Sequence, residues 1–187
     1  MTKNAVPGLG AENAFCIVHD MEQRSVEWAQ IRVGKLTASN CGKMLATTRS
    51  GWSAQRHDLR MLLACEKLTG VSCEIPFTVS AAMQRGIDAE DAAIRAYEGL
   101  TGAVVGRVGF LESADGATGC SPDGIVEADG RFGLVEVKCP TTKVHVGYLR
   151  SGGVVPPPYQ AQLTHSLWVA GPTCEFIDFM SFDDRLP

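Results

Sequence analysis

The sequence lacks the features of several protein classes. No apolar run approaches the ~20 residues that a membrane-spanning helix needs, so we expect no membrane partner. The first residues, MTKNAVPGLGAENAF, contain no basic region followed by an apolar core, so no secretory signal is predicted. The seven cysteines form no C-x-x-C pair, which argues against a zinc site and a disulfide framework. We therefore expect a cytoplasmic protein with free thiols.

A positive net charge is also lacking, because the chain carries −4 overall. This argues against a protein that coats nucleic acid indiscriminately. The charge is uneven, however, since residues 24–67 hold eight basic and three acidic residues, which leaves −9 for the rest. A basic segment beside an acidic one is typical of a protein that binds phosphates at one place and metal cations at another. A solvated basic surface is an equally consistent interpretation.

The length of 187 residues, with 45% hydrophobic and 20% charged residues, is typical of one globular domain. We divide it into an N-terminal arm (1–23, irregular through residue 20), a helical region (24–70) and a core (80–182). Capping residues and apolar spacing predict helices at 25–32, after 37–40, and at 53–68, 84–102 and 159–170. Strand patterns occupy 103–111, 124–127, 132–139 and 174–182. This order predicts an α/β (α+β) fold with a mixed sheet.

One predicted hairpin has charged residues at positions that are apolar in an ordinary core strand. In GCSPDGIVEADGRFGLVEVKCP, Asp129 and Gly130 suit a two-residue type I′ turn. Counting back from that turn places Asp123 opposite Glu136, with the Cβ atoms of such a pair ~5 Å apart. Lys138 follows two residues later and shares the face of Glu136, whereas the valines on either side of Glu136 face the core.

This charged face predicts a metal site. Two adjacent carboxylates repel unless a cation or a proton lies between them. Oxygen ligands favour Mg²⁺ or Mn²⁺. Glu90, on the inward face of the 84–102 helix, is the natural third carboxylate, and the backbone carbonyl of Val137 supplies a further oxygen. With Lys138 beside the metal, these are the parts of a metal-dependent phosphodiesterase. The alternative is a turn-initiating aspartate beside a solvated strand face.

Four stretches resemble the lambda exonuclease (YqaJ-like viral recombinase) branch of the PD-(D/E)XK nucleases, in the same order and over residues 24–182. They are EWAQIRVGKLTAS, RGIDAEDAAIRAYEGLTG, CSPDGIV with GLVEVKCP, and YQAQLTHSLWVAG. The resemblance implies a restriction-endonuclease-like core with a central mixed sheet between helices. It makes the chain a single nuclease domain, with a DNA-end-binding region at 24–70 and the catalytic core at 80–182.

The resemblance also implies an activity. Such enzymes are phage or prophage proteins of the bacterial cytoplasm that digest linear duplex DNA from the 5′ end. They use Mg²⁺, with two ions at the site and Mn²⁺ as a substitute, and they leave a 3′ single strand. They form ring-shaped homotrimers and work with a single-strand annealing recombinase. This sequence departs from the family in ending at SFDDRLP, where a further strand and helix usually follow.

Residue roles carry over at matching positions. The resemblance makes Asp123 and Glu136 metal ligands, Lys138 the catalytic lysine, Glu90 the helix carboxylate that completes the metal site, and Gln162 the glutamine of the last helix motif. The alternative for Gln162 is a hydrogen bond to neighbouring backbone.

The same resemblance assigns Arg32 and Ser39 to the terminal 5′-phosphate. Arginine binds phosphate with two parallel hydrogen bonds, and a helix start favours anions. The alternatives are an exposed helix end for Arg32 and plain capping for Ser39. Lys35 and Lys43 are further candidates for phosphate contacts, or else solvated residues. Met83 is a candidate wedge at the duplex end, or else a core or interface methionine.

Three other functions stay open from the sequence. One is a different PD-(D/E)XK nuclease, either an endonuclease or an enzyme of other polarity. Another is a catalytically inactive module that binds DNA ends or the annealing protein. The third is a metal hydrolase of small molecules, which the basic 24–67 segment disfavours.

Overall fold

Serine caps and glycine stops bound the main helices, and α4 begins three residues before its predicted start at residue 84. The computed structural model describes residues 15–73 and 80–186. Ser25, Ser53 and Ser80 each accept a hydrogen bond from the backbone of the first helical turn, and Gly70 and Gly102 end two helices in the left-handed conformation. The helices are α1 (Val26–Ile31), α2 (Ala38–Leu45), α3 (Ala54–Thr69), α4 (Ala81–Thr101), α5 (Thr142–Arg150) and α6 (Pro157–Ala170).

The strands form two mixed four-stranded sheets and a small hairpin, which confirms the predicted mixed α/β class. The strands are β1 (Cys16–His19), β2 (Leu36–Thr37), β3 (Thr47–Thr48), β4 (Gly51–Trp52), β5 (Val105–Gly106), β6 (Phe110–Ser113), β7 (Thr118–Cys120), β8 (Gly124–Ala128), β9 (Arg131–Lys138) and β10 (Cys174–Ser181). One sheet has the order β1-β6-β7-β2 and the other β10-β9-β8-β5. The predicted single central sheet is therefore divided in two.

Strand β9 is buried on both faces because helices cover each side. Val135 and Val137 pack with α4, in a cluster that contains Ile94 and Tyr97. On the opposite face, Leu134 belongs to the cluster that includes the end of α6. Side chains alternate along a strand, so Glu136 shares the face of Leu134 and turns toward α6.

Two local predictions are wrong. Residues 16–19 were predicted to be part of an irregular N-terminal arm, but they form β1, which pairs with β6 in antiparallel register from Cys16–Ser113 to His19–Phe110. Residues 1–14 of that arm lie outside the described residues. The segment between β9 and α6, for which no helix was predicted, contains α5. Within the described residues, no helix has the length and apolar character to cross a membrane.

Candidate active site

The Asp-Gly turn sets the register that the sequence predicts. Asp129 and Gly130 both have positive φ, 53° and 72°, as a type I′ turn requires. The ladder runs from Ala128–Arg131 to Gly124–Val135, one residue short of the predicted Asp123–Glu136 pair. Asp123 instead lies just before β8, where its Oδ2 accepts a hydrogen bond of 2.7 Å from the backbone N–H of Val137.

The acidic pair and the lysine nevertheless meet as predicted. Glu136 is only 2% exposed, and its Oε1 accepts a hydrogen bond from the Lys138 ammonium. Burial lowers the pKa of Lys138, but attraction to Glu136 and Asp123 outweighs it and raises that pKa above its ordinary value. Lys138 is therefore a cation at neutral pH, and it acts as a hydrogen-bond donor beside the two carboxylates.

Asp123 is under electrostatic strain. Burial, and then the neighbouring Glu136, raise its pKa from 3.8 to about 7. Lys138 and the Val137 N–H oppose this shift without cancelling it. One lysine does not neutralise two buried carboxylates, so Asp123 and Glu136 together still favour the binding of an additional cation.

This strain predicts a stability change in Asp123→Asn. The Asp123 carboxyl keeps its proton up to about pH 7 in the folded protein, but only up to about pH 3.8 in the unfolded chain. The stability that this proton contributes to the folded state is therefore complete below pH 4 and is lost as the pH rises toward 7. In EDTA, Asp123→Asn should therefore gain Tm over the wild type progressively across this range. Each 1 kcal/mol of this gain corresponds to about 2–4 °C for a chain of this size. A Tm difference that does not change with pH contradicts this assignment.

Gln162 reaches Glu136 from α6. Its Nε2 donates to Glu136 Oε1 at 2.6 Å, the same oxygen that accepts from Lys138. The Gln162 side chain therefore binds the Glu136 carboxylate and not the neighbouring backbone, which was the alternative prediction. Two donors on Oε1 fix the carboxylate orientation and leave Oε2 for another partner.

We expect Gln162→Leu to lower kcat about 10-fold with little change in KM, because it removes a group that orients the Glu136 carboxylate. Gln160→Leu is the matched control, since Gln160 is exposed on the same helix and donates only to the carbonyl of Val155. Steady-state digestion of duplex DNA measures both. An equal loss in the two variants contradicts a specific role.

Glu90 lies near the pair but is held by arginines. Its Oε2 accepts from Arg24 at 2.5 Å and its Oε1 from Arg107 at 3.1 Å. Arg107 also donates to the backbone carbonyl of Asp123, so α4 and the Asp123 loop are tied together. Within residues 15–73 and 80–186, no three His, Cys, Asp or Glu side chains converge closely enough to hold a metal ion. The predicted three-carboxylate site is thus not assembled in this conformation.

The donor chemistry still fits a hard divalent cation. Asp123 and Glu136 supply carboxylate oxygens, and their mutual repulsion is the electrostatic signature of a cation site. The backbone N–H of Val137 binds Asp123, and the predicted role of the Val137 carbonyl as a ligand stays a prediction. Asp123 and Glu136 adjoin in the cleft, whereas Glu90, the third predicted ligand, is paired with two arginines.

The predicted phosphate-binding residues line the same cleft as the acids. A cavity of about 200 Å³ is bounded by Asp123, Glu136, Lys138, Arg32 and Ser39, among others. Ser39 lies in the first turn of α2, one residue inside its start, and the N-cap position is Thr37. The cleft thus joins a helix N-terminus and a guanidinium to the acidic pair.

A tryptophan links these two halves of the cleft. The Arg32 guanidinium lies over the ring of Trp28, 3.9 Å from its centroid. The indole N–H of Trp28 donates to Ser121 Oγ at 2.8 Å, two residues before Asp123. The position of Arg32 is therefore coupled through one rigid ring to the loop that carries Asp123.

The family model described as the YqaJ-like viral recombinase domain matches residues 27–173. The chain belongs to this family. A search of curated protein sequences finds no match.

Solved structures agree with the YqaJ-like assignment and the predicted fold. The alkaline exonuclease LHK-Exo from Laribacter hongkongensis is 35% identical, with a TM-score of 0.72, and the match covers 87% of this chain and 76% of that one. LHK-Exo in complex with dAMP gives a TM-score of 0.73 at the same identity and coverage. A phage-related exonuclease from Haemophilus somnus 129PT is 17% identical, with a TM-score of 0.54. That match covers 79% of this chain and 68% of the other, and it shows the fold alone.

Three weaker predictions find no support within this YqaJ-like site. The Lys35 ammonium donates to the carbonyl of Ile31 and pairs with Glu112 at 3.2 Å, and Lys35 is not among the residues that line the cleft. Lys43 is exposed on α2 and does not line the cleft. Met83 is 43% exposed in the first turn of α4 and also lies outside the cleft lining.

Several cleft residues escaped the sequence analysis. Gln23 donates to the carbonyls of Val108 and Pro122, and so holds the segment before α1 against the Asp123 loop. Arg24 follows it and reaches Glu90. These contacts join residues more than 60 positions apart, and a single sequence carries no local signal for them.

Proposed function

We propose that this chain is a divalent-metal-dependent exonuclease that digests linear double-stranded DNA from the 5′ end. It releases 5′-mononucleotides and leaves 3′ single strands for annealing recombination. The observation that carries the proposal is the shared cleft, whose lining includes Asp123, Glu136 and Lys138 together with Arg32 and Ser39. Membership of the YqaJ-like family and the similarity to an alkaline exonuclease support it.

The acidic side of the cleft is where hydrolysis would occur. Asp123 and Glu136 would hold Mg²⁺, or Mn²⁺ in its place, and Glu90 and the Val137 carbonyl would complete a two-ion site. Ions bound there would polarise the phosphoryl oxygens and lower the pKa of bound water. Lys138 donates a hydrogen bond at the reacting phosphate and offsets its negative charge, and Gln162 holds the Glu136 carboxylate in one orientation.

The basic side of the cleft sets the position of the substrate. Arg32 and the first turn of α2 would bind the terminal 5′-phosphate, since a guanidinium and free helix N–H groups both favour that dianion. Trp28 fixes the Arg32 guanidinium relative to Ser121, so the bound phosphate lies at a set separation from Asp123. That separation selects the bond to be cleaved, and each turnover would release one nucleotide.

The assembly and setting of the enzyme belong to the same proposal. We expect a homotrimer of the 20.0 kDa chain that encircles DNA, in the cytoplasm of a bacterial host, with a single-strand annealing recombinase as partner. Light scattering of the purified protein measures the oligomeric state directly. A monomer that digests DNA at full rate would remove the ring from the proposal without affecting the chemistry.

The deciding comparison is between linear and covalently closed circular duplexes of one sequence, incubated with Mg²⁺. We expect complete digestion of the linear form and no nicking of the circle, because the phosphate-binding side of the cleft needs a free 5′ end. Linearising the circle with a restriction enzyme should restore digestion. Degradation of intact circles would instead indicate an endonuclease with the same acidic site.

A further inference from the structure

Arg24 has a backbone conformation that its side chain does not favour. Its φ is +70°, in the left-handed region, which is disfavoured for residues with a β carbon. In the described residues, Asp129 is the other non-glycine residue with positive φ, and the type I′ turn explains it. Gln23 and Ser25 hold the backbone on either side, through bonds to the Asp123 loop and to the start of α1. Strained conformations held in this way are typical of functional sites.

The strained backbone delivers a guanidinium to the edge of the candidate active site. Arg24 lines the cleft with Asp123, Glu136 and Lys138. Its Nη2 lies 2.5 Å from Glu90 Oε2, and the side chains are 46% and 16% exposed. Glu90 is the third carboxylate expected at the metal site, so a cation of the protein itself takes the place where a divalent ion would bind.

The second arginine on Glu90 is held more firmly. Arg107 binds Glu90, Asp91 and the backbone carbonyl of Asp123 at the same time. Both guanidinium side chains are about equally exposed, Arg24 at 46% and Arg107 at 47%. Among the described residues, Arg24 pairs with the single carboxylate of Glu90, so it is the arginine that leaves at lower cost. Because Arg24 lies at the edge of the cleft, an anion that replaces Glu90 as its partner would lie in the cleft, where a DNA phosphate would enter.

We infer that Arg24 is a positioning residue that exchanges between Glu90 and a phosphate of the DNA backbone. Without divalent cations it neutralises Glu90 and occupies that carboxylate. When a cation binds Glu90, Arg24 is released to the phosphate, and when DNA binds first, Glu90 is released to the cation. The inference rests on the proposed function, since it takes DNA as the ligand of the cleft. By reciprocity, each ligand then strengthens binding of the other.

The first test measures DNA affinity in EDTA, where neither metal binding nor cleavage interferes. Glu90→Gln should free Arg24 and tighten binding of a 5′-phosphorylated duplex about 3- to 10-fold by fluorescence anisotropy, the range expected for one partly exposed ion pair. The double variant with Arg24→Gly should lose that gain, and Arg24→Gly alone should change affinity little. Glycine suits the positive φ, so these variants keep the fold. An equal gain from Glu90→Gln in both backgrounds overturns the exchange, because it would be a plain charge effect.

The second test measures Mn²⁺ binding to the DNA-free protein by calorimetry. Arg24→Gly should bind Mn²⁺ about 3- to 10-fold more tightly than the wild type, because the competing guanidinium is gone. Arg95→Gln removes the same charge from the exposed side of α4 and should leave Mn²⁺ affinity unchanged. Unchanged or weaker Mn²⁺ binding in Arg24→Gly overturns the inference. If none of the proteins binds DNA, the proposed function fails, and this measurement alone decides the exchange.

Discussion

Lys138→Ala is expected to reduce digestion of linear duplex DNA by about 10²- to 10⁴-fold, the range for losing a positioned group that transfers or stabilises a proton. Lys138 contacts Glu136 and lines the cleft with Asp123, so in the proposed mechanism its ammonium would lie beside the bond to be broken. Asp123→Ala should be at least as damaging, because it removes a predicted metal ligand. Release of acid-soluble nucleotides with Mg²⁺ measures both losses.

The matched control for this prediction is Lys143→Ala. Lys143 is exposed in the first turn of α5, five residues after Lys138. Its substitution removes the same charge from a position outside the cleft lining. Its activity and Tm should equal those of the wild type. Full digestion by Lys138→Ala, or an equal loss in Lys143→Ala, would show that the acidic cleft is not where hydrolysis occurs.

Replacing the terminal 5′-phosphate by a hydroxyl is expected to slow digestion by the wild type about 10- to 100-fold. That is the effect of losing charge-assisted hydrogen bonds of about 1.5–3 kcal/mol. Arg32→Ala should slow digestion of phosphorylated DNA by a similar factor, and should leave little difference between the two substrates. The reason is that Arg32 and Ser39, which both line this cleft, are the groups proposed to bind the phosphate. The ratio of kcat/KM for the two substrates is the quantity to measure.

Arg60→Ala controls for general loss of positive charge. Arg60 lies exposed on α3 and outside the cleft lining, so this variant should keep the full preference for the phosphate. Higher salt should lower the affinity of every variant for DNA but should not abolish the difference between substrates in the wild type. A full phosphate preference in Arg32→Ala would place the 5′-phosphate elsewhere.

The charged hairpin was predictable because its information is local. The Asp129-Gly130 turn has one favoured geometry, and strand alternation then determines which side chains share a face. The predicted pairing of Asp123 with Glu136 is not formed, because the ladder ends one residue earlier, at Gly124. The Asp123 carboxylate accepts a hydrogen bond from the Val137 N–H instead. Turn chemistry therefore gave the acidic pair and the lysine, but not the hydrogen bond that fixes Asp123.

Elements that depend on distant partners were not predictable. Helix α5 contains Gly147 and two exposed valines and has no buried apolar stripe; its buried residue is His145, whose Nδ1 lies 2.7 Å from Ser181 Oγ of β10. Lys35 looked like a surface cation, yet Glu112 lies on β6, far along the chain. In each case the stabilising partner lies more than 30 residues away, and no pattern in the local sequence marks it.

The arginines on Glu90 belong to the same class of long-range contact. Helical periodicity correctly placed Glu90 on the inward side of α4, where its side chain is 16% exposed. It did not indicate that Arg24 and Arg107 would occupy both carboxylate oxygens. The inward position of Glu90 was thus predictable from the sequence, whereas its two arginine partners were not.

The most direct test of the central claim is digestion of a linear duplex that carries different labels at the 5′ and 3′ ends of one strand. With Mg²⁺ present, the account predicts that the 5′ label appears first, as a mononucleotide, while the 3′ label stays in long DNA until late in the time course. EDTA, Lys138→Ala and Asp123→Ala should each stop release of both labels. Early release of the 3′ label, or release of either label by Asp123→Ala at the wild-type rate, would contradict the account.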